Sequence, residues 1–154
     1  MLHIFAGTGA IGLEALSRGA RTVVFIESNR EAAKLIHQNL GLCGINSGFR
    51  IIQDDVFKSL RTLACEGFRA DIAFLDPPYR WGPYRDLLAT LFHTGIAAPD
   101  SRVMIEHRRK ADLPASGDVY RCVRTVRQGD KCLSFYQAES TGEAEGSVQA
   151  PGDA

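Results

Sequence analysis

Short apolar runs alternate with helix-patterned stretches through the first hundred residues, and that alternation leaves few folds open. Strands are expected over 1–5, 22–27, 49–53, 71–75 and 102–106, and helices over 10–18, 28–42, 56–65 and 84–93. Gly19 closes the first helix, and Gly44 lies beyond the second. Ser28-Asn29-Arg30-Glu31 has capping-box spacing, with Ser28 as the expected cap and Glu31 reaching back. The pattern changes over 118–138, where two strand-like runs flank Gln128-Gly129-Asp130-Lys131, a hairpin turn. The expected architecture is α/β: a doubly wound, mostly parallel sheet with an antiparallel C-terminal hairpin. One domain over 1–138 follows, and an acidic tail over 139–154 whose composition predicts disorder. No internal repeat is visible.

A chain of 154 residues is long enough to bury a core of its own. No apolar run approaches a membrane span, so no membrane partner is expected. No signal peptide is visible before the first strand. Cys43, Cys65, Cys122 and Cys132 have no C-x-x-C spacing and read as reduced, mostly buried thiols of a cytoplasmic protein, with no metal. The 18 basic and 18 acidic residues are unevenly placed. Four acids and no Lys or Arg lie from Glu139 onward, whereas residues 102–132 hold eight bases against four acids. A basic face there suits a phosphate backbone, although charge alone favours a plain solvated surface.

The sharpest chemical signal is Asp76-Pro77-Pro78-Tyr79, directly after the apolar run that ends at Leu75. In an open α/β sheet, ligands bind at the carboxyl ends of strands. Proline fixes φ and has no N–H, and the residue before it is held extended. The turn is therefore stiff and presents two acceptors, the Asp76 carboxylate and the Pro77 carbonyl, beside the flat face of Tyr79. That set suits a planar ligand bearing an NH2 group, such as a nucleobase.

Gly7-Thr8-Gly9-Ala10-Ile11-Gly12 follows one strand and opens a helix, so backbone can approach a ligand closely. Glu27 lies twenty positions after Gly7, at a strand end where a carboxylate accepts from both ribose hydroxyls. The pair fits a dinucleotide enzyme as well as an adenosyl-ligand enzyme. Asp54-Asp55 follows the third strand. Asp55 is either an acceptor for an adenine amine, with the Val56 N–H offered to a ring nitrogen, or simply a helix N-cap.

The tetrapeptide discriminates between those ligand classes. A base amine is a poor nucleophile because its lone pair is delocalised into the ring. Acceptors at both its hydrogens localise that lone pair, and they bind more strongly as positive charge develops on nitrogen. A methyltransferase uses this chemistry, and a dehydrogenase has no evident use for it. Tyr79 would stack on the base, a contact worth roughly 1–3 kcal/mol.

Residues Ile4 to Ala20 (Ile4-Phe5-Ala6-Gly7-Thr8-Gly9-Ala10-Ile11-Gly12 and the helix after it) resemble the first motif of the bacterial guanine-N2 methyltransferases of 16S ribosomal RNA. Glu27, the Asp55 region, Phe74 to Tyr79 and the closing Leu133-Ser134-Phe135-Tyr136-Gln137 match in order and spacing, so the likeness spans residues 1 to about 138. The resemblance implies a Rossmann-like methyltransferase fold of seven strands with the last antiparallel. It implies S-adenosyl-L-methionine as donor, and a guanine of 16S rRNA in the small ribosomal subunit or its assembly intermediate as substrate. By position, Phe5, Ala6, Gly7, Thr8 and Gly9 would line the donor's methionine and adenosyl groups, Glu27 would hold its ribose, and Asp55 and Val56 its adenine. Asp76, Pro77, Pro78 and Tyr79 would hold the guanine. A monomer is expected.

Two features depart from that pattern. His3 stands where the family usually has an aspartate that helps bind the donor's amino group; by its own sequence context it reads as a strand histidine with a local hydrogen bond. The family also carries a basic N-terminal segment ahead of the first strand, so a truncated start is expected here. The other readings are an adenine-N6 DNA or RNA methyltransferase, which the tetrapeptide serves equally well, and a non-catalytic adenosyl- or RNA-binding module. A dinucleotide oxidoreductase is favoured by the glycine pattern alone.

Overall fold

The computed structural model describes residues 1–139; the expected tail from 140 lies outside the described residues. Five strands run parallel: β1 (Leu2–Ile4), β2 (Val23–Ile26), β3 (Phe49–Ile52), β4 (Ala70–Leu75) and β5 (Ala97–Arg108). The helices α1 (Ala10–Ser17), α2 (Arg30–Leu42), α3 (Val56–Cys65) and α4 (Tyr84–His93) connect them. β6 (Tyr120–Gln128) and β7 (Lys131–Ala138) form the closing hairpin, and β7 pairs antiparallel with β5. The sheet order is β3-β2-β1-β4-β5-β7-β6. This is the doubly wound sheet with an antiparallel end that the alternation predicts.

Strand side chains divide between two cores, as a period of two requires. Leu2, Ile4, Val24, Ile26, Leu75 and Ile105 join Leu60 and Leu63 of α3 and Leu87 and Leu91 of α4 on one face. Val23 and Phe25 join Ile36 and Leu40 of α2, with α1 packed alongside, on the other. Gly12 makes the second layer possible: a Cβ there would lie 2.2 Å from a ring carbon of Phe25, so only glycine lets α1 seat on β2.

β1 sits between β2 and β4, and the connections from these strands leave in opposite directions. The crevice that this reversal opens lies at the carboxyl ends of β1 and β4, the place where such sheets bind ligands.

Several boundaries differ from expectation for local reasons. β1 stops at Ile4 because Phe5 turns to φ 57°. The cap of α2 is Asn29, whose side chain accepts from the Ala32 N–H at 3.0 Å, rather than Ser28. β5 begins at Ala97, five residues early, because Ala97 pairs with Ala70 ahead of an irregularity in the register. Of the four cysteines only Cys132 is buried; Cys43 and Cys65 are exposed and Cys122 half-buried, so the expectation of mostly buried thiols fails. Glu139 is still tied to the hairpin, its N–H donating to the Val119 carbonyl at 2.9 Å. Among the described residues no helix is long and apolar enough to cross a membrane.

Candidate active site

At the β1–β4 crevice lies an open cleft of about 530 Å³. Nine of the twelve residues singled out from the sequence line it: Phe5, Gly7 and Glu27 from the first two strand ends, Asp55 and Val56 from the start of α3, and all of Asp76 to Tyr79. A groove of about 600 Å³ along the far half of α1 is larger, but Glu14 is its only acid, and it lies away from the strand ends that converge on the cleft. Chemistry, rather than volume, selects the site.

Glu27 organises the wall at the ends of β1 and β2. One of its carboxylate oxygens accepts from the Gly7 N–H and the other from the Asn29 N–H, each at 2.8 Å. The glycine loop and the start of α2 are thereby pinned to one anion. Each oxygen keeps further lone-pair capacity for a diol. Gly7 has φ 55° and nothing within 4 Å of where a Cβ would be, so its missing side chain leaves cleft space. Phe5 also has positive φ, an arrangement costing a non-glycine residue about 1–3 kcal/mol and found where a site is held in a set shape.

Asp55 is the helix cap that the sequence left open, and it also borders the cleft. Its Oδ1 caps α3, accepting from the Phe57 and Lys58 N–H groups at 3.0 and 3.1 Å, while the residue also lines the cleft. The Val56 N–H, at the first position of α3, precedes the first intrahelical partner, and among the described residues it has no acceptor. Ala6, Thr8 and Gly9 are not brought to the cleft. Ala6 is buried in the second core, the Thr8 carbonyl accepts from Asn39 Nδ2 at 2.9 Å, and Gly9 packs under Ile36 and Leu13. These three shape the loop from behind.

Sequence reasoning missed Ser28 and Trp81, both of which line the cleft. Trp81 forms the hub of an aromatic wall, with ring centroids 5.1 Å from Phe5, 6.4 Å from Phe57 and 5.1 Å from Tyr84. As the chain's single tryptophan, two residues past the tetrapeptide, it was findable.

The tetrapeptide turns as its composition requires. The Pro78 carbonyl is taken by the Trp81 N–H at 2.8 Å, whereas among the described residues no donor reaches the Pro77 carbonyl. Burial pushes the Asp76 carboxyl above the usual carboxylate range; Glu106 pushes in the same direction and Lys131 opposes it. Beyond Asp76 the character of the surface reverses. Glu27, Asp55 and Asp76 make the cleft acidic, while Arg108, Arg109, Lys110, Arg127 and Lys131 gather around the ends of β5 and the β6–β7 turn.

His3 does not reach the cleft. It is 2% exposed between Phe25 and Phe74, with ring centroids 5.8 and 5.7 Å away. Its Nδ1 has no partner among the described residues, so the expected local hydrogen bond is absent at that atom. Burial lowers its pKa to about 4.

Residues 1–137 match the family model described as "Conserved hypothetical protein 95". Ribosomal RNA small subunit methyltransferase D of Escherichia coli (strain K12) is 30% identical over 144 residues, covering 94% of this chain and 71% of that protein. A Bacillus subtilis (strain 168) protein, provisionally named rRNA methyltransferase YlbH, is 31% identical over 121 residues, covering 77% of this chain and 65% of that protein. The chain thus spans about two thirds of the length of these relatives. Among solved structures, the provisionally named methyltransferase yhhF of Escherichia coli superposes with a TM-score of 0.72 at 29% identity, over 90% of this chain and 74% of that one. A SAM-dependent methyltransferase of Agrobacterium tumefaciens gives a TM-score of 0.65 at 19% identity, over 89% of this chain and 55% of that one, a likeness of fold. The sheet order, the cleft and these likenesses agree: the chain has the Rossmann-like fold of S-adenosylmethionine-dependent methyltransferases and belongs to the family described as "Conserved hypothetical protein 95", among whose relatives are named rRNA methyltransferases.

Proposed function

We propose that residues 1–138 form an S-adenosylmethionine-dependent methyltransferase domain that modifies the exocyclic N2 of a guanine in 16S rRNA. The observation that carries this reading is the pairing, in one cleft, of an anchored ribose acceptor with a free amine acceptor. Glu27 has its backbone donors in place, and Asp76 and the unpartnered Pro77 carbonyl face the same space. The small-subunit relative supports guanine in 16S rRNA as the target, in the subunit or its assembly intermediate. A monomer acting in the cytoplasm fits this reading.

The residues present fit the donor. The cleft is of ligand size and lined by three carboxylates, which suits a cationic sulfonium. When bound, the donor supplies an electrophilic methyl group. Glu27 would accept from the ribose hydroxyls, Asp55 from the adenine amine, and the Val56 N–H would donate to the ring. On the acceptor side, the Asp76 carboxylate and the Pro77 carbonyl would each accept one hydrogen of guanine N2. That localises the nitrogen lone pair and stabilises positive charge as it develops. The surplus proton leaves along the Asp76 hydrogen bond. The base must stand outside its stack to reach Asp76, so it is flipped or already exposed.

The test is methyl transfer from labelled S-adenosylmethionine to unmethylated small subunits, followed by nucleoside analysis. N2-methylguanosine is expected. N6-methyladenosine would move the protein to the adenine class, and donor binding without any transfer would make it a binding module.

A further inference from the structure

The acceptors Asp76 and Pro77 have two sides. The donor cleft lies on one. On the other, toward β5 and the β6–β7 turn, is a crevice walled by Tyr79, Tyr84, Glu106, Arg108 and Lys131. It holds about 10 Å³, no more than the space one water needs and far below that of a purine. Yet it is the side of Asp76 and Pro77 left to a base when the donor fills the cleft.

Tyr84 is the buried part of this wall; the rest is largely partly exposed charged side chains. The guanidinium carbon of Arg108 lies 4.0 Å from the centre of the Tyr79 ring, and Arg108 Nη1 donates to Asp130 at 2.9 Å. Lys131, opposite Arg108 in the β5–β7 register, donates to Glu106 at 2.7 Å. Solvent-exposed contacts of these kinds hold weakly, so this wall opens at small cost.

We propose that Arg108 is a placeholder for the target base: its guanidinium occupies the face of Tyr79 on which a purine stacks, and gives it up when a purine nucleotide enters beside Asp76. Guanidinium and purine are both flat groups that favour an aromatic face, so one stacking partner replaces another and the ring is never left bare. The displaced side chain remains at the rim with Arg109, Lys110 and Arg127, placed to meet a phosphate of the entering strand. For its base, though not for the resting contact, this inference rests on the function proposed above. Tyr79 is 61% exposed, so the rival arrangement stacks the base on the outer face and leaves Arg108 behind the ring as a buttress.

Two measurements test this: the first checks the resting contact that both arrangements share, and the second decides between them. In the free wild-type protein, the Arg108 Nε–H proton, assigned by its loss in Arg108→Lys, is expected upfield of the usual arginine position through the Tyr79 ring current. An unshifted signal overturns the placeholder. Single-turnover methylation of small subunits is then compared for wild type, Arg108→Ala and Arg108→Lys. At saturating RNA, both variants should react faster by about two- to fivefold, the weight of one exposed cation–π contact. Half-saturation should need several-fold more RNA for the alanine variant only. An unchanged or slower rate in an active enzyme, with donor affinity intact, overturns the placeholder and leaves the function standing. A wild-type protein that binds donor but methylates nothing overturns both.

Discussion

The two halves of the sheet meet the cleft in different ways. On the β1–β3 side, the ligand-facing groups are already fixed by backbone: Glu27 is held by two N–H groups, Asp55 by the helix it caps, and Phe5 by a strained φ. On the β4–β7 side, the acceptors stand on a stiff turn, but their surroundings are exposed ion pairs and one cation over a ring. A small donor that is the same in every turnover suits the first arrangement. A large substrate that must enter and leave suits the second. Binding of donor and transfer of methyl should therefore be separable by mutation.

The largest effect is expected at Asp76. Asp76→Asn keeps the shape but turns half of the acceptor into a donor facing the base amine. Transfer should fall by about 100- to 1,000-fold, the usual loss when one preorganised charge-stabilising group is removed. Calorimetric donor affinity should stay within about threefold. Equal loss of both would show that the two halves do not divide the work.

His3 lies on the seam, between Phe25 of β2 and Phe74 of β4, and links the halves through stability rather than chemistry. Its folded pKa of about 4 is below the ordinary 6.5. Between those values the unfolded chain binds a proton that the folded chain refuses. The stability it permits is therefore fully present above about pH 6.5 and is lost as pH falls toward 4, by about 3 kcal/mol from this group. His3→Leu is close in size, removes the unpaired Nδ1, and should flatten that acid limb while leaving stability at pH 7 equal or higher. Urea titrations of both proteins at pH 7 and pH 4 measure it. Identical acid slopes would place the loss elsewhere.

What the sequence disclosed follows the same division. Helices α3 and α4 were legible to the residue because a capping aspartate and a proline mark their starts. That Gly7, Glu27 and Asp55 share one cleft was legible because their signals are local: glycine loop, strand-end acid, helix cap. Asn29 displaced Ser28 as cap because Glu27 draws the Asn29 N–H back toward the cleft, which no spacing rule foresees. Arg108 over Tyr79 was illegible in kind. It depends on the β4–β5 register, which brings residues 29 positions apart into contact across two strand ends. Ala97 was missed as strand because Pro99 interrupts the pattern, although Ser101 repairs it by accepting from the Ala98 N–H and donating to the Ala70 carbonyl.

Glu27→Gln is the complement of the Asp76 experiment and the smaller effect. The amide keeps one acceptor oxygen, but its NH2 must face either the Gly7 or the Asn29 N–H, donor against donor. One charge-assisted bond is lost at the loop, and the ribose meets a neutral group. Bonds to charged partners are worth about 1.5–3 kcal/mol, so donor affinity should weaken by roughly 10- to 100-fold. At saturating donor, the transfer rate should remain within about threefold of wild type, because Asp76 and Pro77 are untouched. A variant that binds donor normally but transfers slowly would assign Glu27 to the acceptor half, and the distinction between the two sides of the cleft would have to be abandoned.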